Sequence, residues 1–258
     1  LDSPEAFKKA CLECEKPITV IKVGSSKIGV KAAFAHTASD NTGHNNAEYD
    51  QLFLESGVMR EETWQEFLDT SLALGMCPPL RGDNVVMITN GGGAGLLACD
   101  HFERLGMPLK ELKEISQNLR SAIRKYMPSF GSPLNPVDIS GTATSEMYGG
   151  ALRTAYRDEN VDGIVISVCP TAVTDVEAIT DTVIEIHKQY KTLGKPLIME
   201  CQGGNECREA IMKLRDHGIP AFSTMEQAVN AMVALREYSH IMSKKEELLK
   251  QAHTEEEK

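Results

Sequence analysis

The chain has 258 residues, 41% hydrophobic and 25% charged, with 27 basic and 37 acidic side chains and a formal net charge of −10. This is the composition of an ordinary globular protein and excludes a collagenous, disordered or disulfide-stapled miniature chain. The acidic balance argues against general binding to nucleic acid or anionic membrane, while leaving room for a small anion held by backbone N–H groups.

Ser3-Pro4 reads as a helix start, a capping hydroxyl followed by proline where its missing N–H costs nothing. Phe7, Ala10, Cys11 and Cys14 follow at helical spacing, and Pro17 ends the pattern. Cys11 and Cys14 make a CxxC on the same helix face as Phe7 and Ala10, so burial is favoured over metal or redox work. The seven cysteines are an odd, scattered set, for which reduced thiols are expected. A strand is predicted over 18–23, an exit loop at Gly24-Ser25-Ser26, and an Ala-rich helix over about 28–35. The polar stretch 36–46 is a loop by composition. A helix over 49–55, a short strand over 58–60 and a helix over 63–74 complete the first part.

Cys77-Pro78-Pro79-Leu80-Arg81-Gly82-Asp83 is the clearest linker. Beyond it the pattern is regular. Strands are predicted over 85–89, 137–140, 164–168, 197–201 and 221–222. Helices are predicted over 94–105, 110–126, 145–156, 173–190 and 205–217. Ser223 and Glu226 suggest a capping box for a long final helix, frayed over 253–258. Strands alternating with helices imply an α/β fold, a doubly wound parallel sheet from Val85 onward. The part before the linker has too few strands to close a sheet and reads as the partial end of a second, similar domain. The expected division is 1–76, a linker over 77–84, and 85–258. No run approaches the ~20 apolar residues of a membrane span, and no secretory signal is present, so a cytoplasmic location is expected. Opening on Leu1, the chain reads as a piece of a longer protein.

In an open parallel sheet, ligands bind at the carboxyl ends of the strands. There the sequence places Asn90-Gly91-Gly92-Gly93-Ala94-Gly95, then Ser140-Gly141-Thr142, Cys169-Pro170-Thr171-Ala172 and Gln202-Gly203-Gly204. The glycines permit close approach to first-turn N–H groups, and the helix dipole favours an anion. Asn90, Gly91, Gly92, Gly93, Pro170 and Thr171 are therefore candidates for phosphate binding. The bland alternative is that short loops use such residues anyway. The spacing is neither GxGxxG nor a Walker loop. His101, His187, His217 and His240 fall on helices, where packing or surface roles are the default. His36 opens the polar loop, where a neutral imidazole could attack an activated phosphoryl group. His44 lies in the same loop and is not separable from it by composition. The pair lacks a third ligand at metal-site spacing, so no metal site is predicted.

Several of these segments occur in the order found in one family. Lys16-Pro17, a strand, Lys22-Val23-Gly24-Ser25-Ser26-Lys27-Ile28-Gly29 and Ala32-Ala33-Phe34-Ala35-His36-Thr37 resemble the NDP-forming acyl-CoA synthetases. So do Tyr49-Asp50, Phe53, Gly57-Val58, Asn90 to Gly95, and Asn135-Pro136-Val137-Asp138. The departures are Ala35-His36-Thr37-Ala38 where that family has Ser-His-Thr-Gly, a longer loop containing His44, and the missing arginine after Gly24.

The resemblance implies a flavodoxin-like, succinyl-CoA-synthetase-type second domain, and a first part from a CoA-ligase domain carrying a phosphohistidine loop. It implies a reaction in which acyl-CoA, ADP and phosphate interconvert with a carboxylic acid, CoA and ATP. An acyl phosphate would form first, and His36 would carry the phosphoryl group. Coenzyme A and Mg-ADP or Mg-ATP would be substrates bound mostly outside this chain, with no tightly held cofactor. CoA-binding and ATP-grasp domains or subunits are the implied partners, with a short-chain acid or hydroxyacid as co-substrate and an oligomeric assembly. The alternative is a non-catalytic ligand-sensing module, as in acetyltransferase fusions. A receiver-like signalling domain is disfavoured, because Asp138 is the only clear acid at a strand end.

Overall fold

The computed structural model describes residues 3–36 and 46–256, with side chains over 3–33 and 46–247. The chain divides into two compact units, Leu1–Ser71 with Glu237–Lys258, and Leu72–Arg236.

The first unit begins with α1 (Pro4–Glu13), whose cap is the predicted one: Ser3 Oγ accepts from Ala6 N at 3.3 Å. β1 (Thr19–Ile21), α2 (Lys27–His36), α3 (Asn46–Glu55), β2 (Met59–Glu61) and the start of α4 (Trp64–Met76) follow. β1 and β2 pair in parallel, with Thr19 opposite Met59. A small core of Cys11, Phe53 and Val58 packs with Phe7, Ile18, Val20 and Tyr49. Burial raises the Cys11 thiol pKa above its ordinary value, as suits a packing residue. Gly57, at φ +66°, makes the tight turn from α3 into β2.

The second unit contains β3 (Val85–Thr89), α5 (Gly92–Arg104), α6 (Leu112–Ile115), α7 (Leu119–Ile123), β4 (Ser132–Pro133), β5 (Val137–Asp138) and α8 (Ser145–Arg157). It continues with β6 (Gly163–Val168), α9 (Val176–Tyr190), β7 (Leu197–Cys201), α10 (Asn205–Asp216), β8 (Ala221–Phe222) and α11 (Met225–Glu256). The sheet order is β4-β5-β3-β6-β7-β8, with β4 antiparallel to β5 and the rest parallel. With the β4 edge set aside and β3 taken as the first strand, the order becomes 2-1-3-4-5, the flavodoxin-type doubly wound order.

The two faces follow from strand alternation. Val86, Ile88, Ile164 and Ile166 face a core built with Leu119, Tyr148, Leu152, Ile179 and Leu214. Val85, Met87, Val165 and Ile198 face Ala98, Phe102, Val229 and Met232 on the other side. Helices thus cover both faces, as the fully apolar strands require.

Some elements differ from the sequence reading. The helix expected over 110–126 is two short helices, because Ser116 is extended at φ −156°, ψ 133°. A capping box of Glu111 and Glu114 starts the first of them. The β4 edge strand was not foreseen. The capping residue of α11 is Thr224, not Ser223: Gln227 N donates to Thr224 Oγ1 at 3.4 Å. The distal part of α11 joins the first unit rather than 85–258, and there Lys245 Nζ donates to Cys11 O at 2.8 Å. Cysteine pairing also differs from expectation: Cys201 and Cys207 form a disulfide, Cα–Cα 5.3 Å, from the end of β7 to the first turn of α10.

Two local devices fix the sheet. Asn135, before the cis peptide to Pro136, receives Met87 N at 3.0 Å and donates to Val85 O at 2.7 Å and Lys110 O at 2.9 Å. Its amide thus stitches β3 to the segment leading into β5. At the other end, Arg215 donates Nε and a terminal N–H to Ala221 O, at 3.0 and 2.7 Å, holding β8.

Candidate functional site

β3 leads through α5 on one face to β5, which leads through α8 on the other face to β6. The crossovers diverge between β3 and β6, which makes their carboxyl ends the topological switch point of the sheet. The predicted glycine-rich turn and the Cys169-Pro170-Thr171 loop meet there. Asn90 fastens them together. Its Nδ2 donates to Cys169 O at 2.9 Å, and its Oδ1 accepts from Cys169 N at 2.8 Å. The side chain is only 4% exposed, so it acts as a clamp and does not project toward a ligand.

Gly91 caps α5 without a side chain, in extended backbone at φ −125°, and its N–H bonds to Thr89 Oγ1 at 3.0 Å. A Cβ at Gly91 would stand 2.6 Å from Cys169 Sγ, so only glycine fits against that loop. Gly92 faces Asp138: a Cβ there would lie 2.9 Å from Oδ2. Gly93 opens onto free space. Gly95 N closes the first turn on Gly91 O at 3.1 Å. The amides of Gly92, Gly93 and Ala94 have no intrahelical acceptor, the usual condition of a helix start. This end of α5 can therefore hold an anion by N–H donation and by the helix dipole.

Pro170 and Thr171 lie on the same rim but in a turn, not at a helix start. α9 begins at Val176, where Asp175 Oδ1 accepts from Ala178 N at 2.9 Å. A carboxylate serves that cap, so this helix end is already compensated. Thr171 N donates to Thr174 Oγ1 at 3.0 Å, and Thr171 Oγ1 donates to Gly141 O at 3.0 Å. Both donors of Thr171 are thus spent on the loop, and Pro170 has none. These two residues shape the loop that packs beside the start of α5. Opposite them, Asp138 Oδ1 accepts from Ser140 N at 2.8 Å, and Ser140 is held at φ +78°. Thr144 Oγ1 caps α8, accepting from Met147 N at 3.4 Å. Farther along the rim a cavity of about 560 Å³ opens between α9 and α10, lined by Asp175, Glu177, Glu206, Glu209 and Lys213. Its acids make it a poor home for phosphate.

Two family models account for most of the chain. Residues 85–244 match the Ligase-CoA domain, and residues 1–74 match the succinyl-CoA ligase like flavodoxin domain. The chain belongs to the Ligase-CoA domain family. Among its curated relatives, the acetate–CoA ligase [ADP-forming] I subunit alpha of Pyrococcus furiosus is 40% identical over 236 residues, 90% of this chain and 49% of that one. The 4-hydroxybutyrate–CoA ligase [ADP-forming] of Nitrosopumilus maritimus is 29% identical over 91% of this chain and 33% of its own length. Among solved structures, the dinucleotide forming acetyl-coenzyme A synthetase 1 of Ca. Korarchaeum cryptofilum, in complex with phosphate and ADP, superposes with a TM-score of 0.85. It is 31% identical, over 95% of this chain and 51% of that one. The chain spans about half the length of these alpha-subunit-like relatives, and less of the longer ones.

In this Ligase-CoA family member, His36 is the last residue of α2, and its side chain lies outside the described residues. His44 also lies outside them. Two other histidines have packing roles. His101 Nε2 meets Asn230 Oδ1 at 2.8 Å, and His187 Nδ1 meets Tyr156 Oη at 2.9 Å. Among the described residues, no group of three His, Cys, Asp or Glu could hold a metal ion. Likewise no described helix is long and apolar enough to cross a membrane.

The sequence reading passed over a buried polar column under the rim. Glu200 on β7 is 1% exposed, and its Oε2 accepts from Ser167 Oγ at 2.7 Å. Burial pushes its carboxyl up to about 7. Burial and the Glu200 carboxylate raise the Cys169 thiol pKa above its ordinary value. Tyr148 Oη donates to Ser167 O at 2.9 Å from the opposite face. A glutamate inside Leu197-Ile198-Met199-Glu200-Cys201 was the available signal, since a charge rarely sits in a fully buried strand.

Proposed function

We propose that this chain is part of an NDP-forming acid–CoA ligase, interconverting acyl-CoA, ADP and phosphate with carboxylic acid, CoA and ATP. The observation that carries the reading is the start of α5 at the switch point, capped by Gly91 with no side-chain hydrogen bond, in a chain of the Ligase-CoA family. The names of the relatives support the same chemistry.

In this reading the rim holds phosphate. Asn90 clamps the two loops, Gly91 lets them approach, and the first-turn amides of Gly92 and Gly93 face the oxyanion. Pro170 and Thr171 wall the site. A phosphate oxygen attacks the thioester carbonyl, the carbon–sulfur bond breaks, and CoA leaves with acyl phosphate formed. The neutral imidazole of His36 then attacks phosphorus, and the carboxylate departs with the former bridging oxygen. ADP takes the phosphoryl group from the histidine, which regains its neutral form. A covalent carrier divides one difficult transfer into two, and preorganised N–H groups stabilise the charge that develops. CoA and the nucleotide, with its Mg²⁺, bind on CoA-binding and ATP-grasp domains or subunits beyond this chain. The acid is a short-chain acid or hydroxyacid, and the assembly is oligomeric.

Labelled Mg-ATP and the complete protein with its nucleotide-binding partner test this. The expected product is acid-labile, base-stable label on the chain, lost in His36→Ala and kept in His44→Ala. Loss only in His44→Ala would move the carrier. No label in any form, with an active partner, would refute the ligase reading.

A further inference from the structure

Residues 115–137 hold Arg120, Arg124 and Lys125 and not one Asp or Glu, in a chain where 37 of 258 residues are acidic. Arg120 lies on α7, and Arg124 opens the 3-10 turn that follows it. The two are four residues apart, a spacing at which like charges on a helix repel. Among the described residues neither Arg120 nor Lys125 has an ion-pair partner. Lys113, on the preceding helix, is spent on Glu111 at 2.9 Å. The acidic chain thus keeps a knot of positive charge that its own carboxylates do not neutralise.

The knot has a built setting. β4 runs antiparallel to β5, with Ser132 opposite Asp138. Gly131 therefore sits at the carboxyl end of β5, where a Cβ on it would lie 2.9 Å from Asp138 O. The Arg124 guanidinium is fastened to this loop, donating to Gly131 O at 2.7 Å and to Ser129 O at 2.5 Å. Two of its five N–H groups are used and the others remain. A guanidinium already held in place loses little freedom on meeting a ligand. A cavity of about 490 Å³ opens here, lined by Gln117, Arg120, Ser121, Arg124, Gly131 and Pro133. That is the size of a small-molecule site, and no acid lines it. Asp138, at the adjoining strand end, keeps its carboxylate on the α5 side. Its Oδ1 accepts from Ser140 N at 2.8 Å, and its Oδ2 is the atom a Cβ on Gly92 would meet at 2.9 Å.

We propose that this cavity binds a diphosphate group, with Arg120 and Arg124 each gripping one phosphoryl group and Gln117 and Ser121 donating to the remaining oxygens. An arginine fork makes paired N–H···O bonds to a phosphoryl or carboxylate group. Two forks one helical turn apart, roughly 5–6 Å between Cβ atoms, suit two linked anionic groups better than one. A phosphoryl group carries more charge than a carboxylate, and Lys125 beside Arg124 adds a third cation, which favours the diphosphate. The group belongs either to free pyrophosphate or to a nucleotide. Phe130, 73% exposed between the two residues whose carbonyls hold Arg124, offers a ring on which a base could stack. The site is separate from the amides at the start of α5, and it does not depend on the reaction proposed above.

The test is modification of the intact chain by phenylglyoxal, which attacks arginine side chains, with peptide mass spectrometry to read each site. Millimolar pyrophosphate at low salt should slow the reaction several-fold at Arg120 and Arg124. It should leave Arg81 and Arg208, both exposed, unchanged. Orthophosphate and succinate should protect far less. Protection by ADP as well as pyrophosphate assigns a nucleotide, and protection by pyrophosphate alone assigns the free diphosphate; either upholds the site. Equal protection by orthophosphate or succinate overturns the diphosphate assignment. No protection, or the same slowing at every arginine, overturns the site itself. Arg120→Gln removes an exposed side chain, so it should fold normally and weaken pyrophosphate binding about tenfold by calorimetry, the worth of a charge-assisted pair of hydrogen bonds. Unchanged affinity in that variant places the ligand elsewhere, at the start of α5, and overturns the proposal. The labelling of His36 and this protection experiment fail independently.

Discussion

Replacing Asn90 by alanine should loosen the switch point more than any other single change at the rim. The side chain is 4% exposed, and it makes two hydrogen bonds, 2.8 and 2.9 Å, to the N–H and C=O of one residue, Cys169. Its removal strands both backbone groups in a site that the neighbouring loops keep from water. A lost hydrogen bond is worth about 1 kcal/mol and a stranded buried group about 1–3, so a total near 3 kcal/mol is expected. That corresponds to about a hundredfold in the opening equilibrium of the loop. Native-state hydrogen exchange reads this directly, at the Cys169 amide that donates to Asn90. Trp64, the sole tryptophan, lies in the other unit, so fluorescence would miss the event. Asn90→Asp keeps the acceptor but sets an oxygen against Cys169 O, and should lose most of the protection as well. Unchanged protection in Asn90→Ala would refute the clamp and, with it, the account of how the two loops are joined.

Other changes at the rim have defined outcomes. Gly91→Ala places a Cβ 2.6 Å from Cys169 Sγ, and should cost about 1–3 kcal/mol in urea unfolding of the second unit. Adding Cys169→Ala should return most of it, and a double variant as unstable as the single one would show that the clash is elsewhere. Glu200 binds its proton more tightly when folded, about 7 against 4.5. Its contribution is therefore fully present below pH 4.5 and lost as pH rises through about 7. The difference amounts to about 3 kcal/mol at about 1.4 kcal/mol per tenfold in proton affinity. Thermal melts of wild type and Glu200→Gln across this range should converge at the acid end and part at the alkaline end, with the variant the more stable. Parallel melting curves would contradict the buried-carboxylate account.

The alternation of strands and helices was plain in the sequence because each strand from β3 onward is a short apolar run between turn residues. Gly91 to Gly93 were equally plain, since three successive glycines before a helix have few other uses. What the sequence concealed depends on partners distant along the chain. Asn90 looked like a phosphate ligand, but Cys169, 79 residues away, claims its amide. Pro170 and Thr171 looked like a helix start, but Asp175 outcompetes them as a cap. The disulfide joins cysteines whose spacing across a strand end and a helix turn carries no known signature. The break at Ser116 lies within a pattern whose apolar residues, Leu112, Ile115, Leu119 and Ile123, fit one continuous helix equally well. The resemblance placed His36 in the right family context, and its chemistry rests on the experiment with labelled nucleotide.

The ends of the six-stranded sheet bear on how this protein behaves in a crowded solution. Both marginal strands are two residues long. One contains Pro133, which has no N–H to give, and the other has the carbonyl of Ala221 already engaged by the Arg215 guanidinium. A parallel sheet so apolar would otherwise be a template for strands of neighbouring molecules, and short, proline-bearing or charge-covered edges are how natural sheets resist that. The unit can therefore expose the carboxyl ends of its strands without also offering a row of backbone groups on which copies could polymerise.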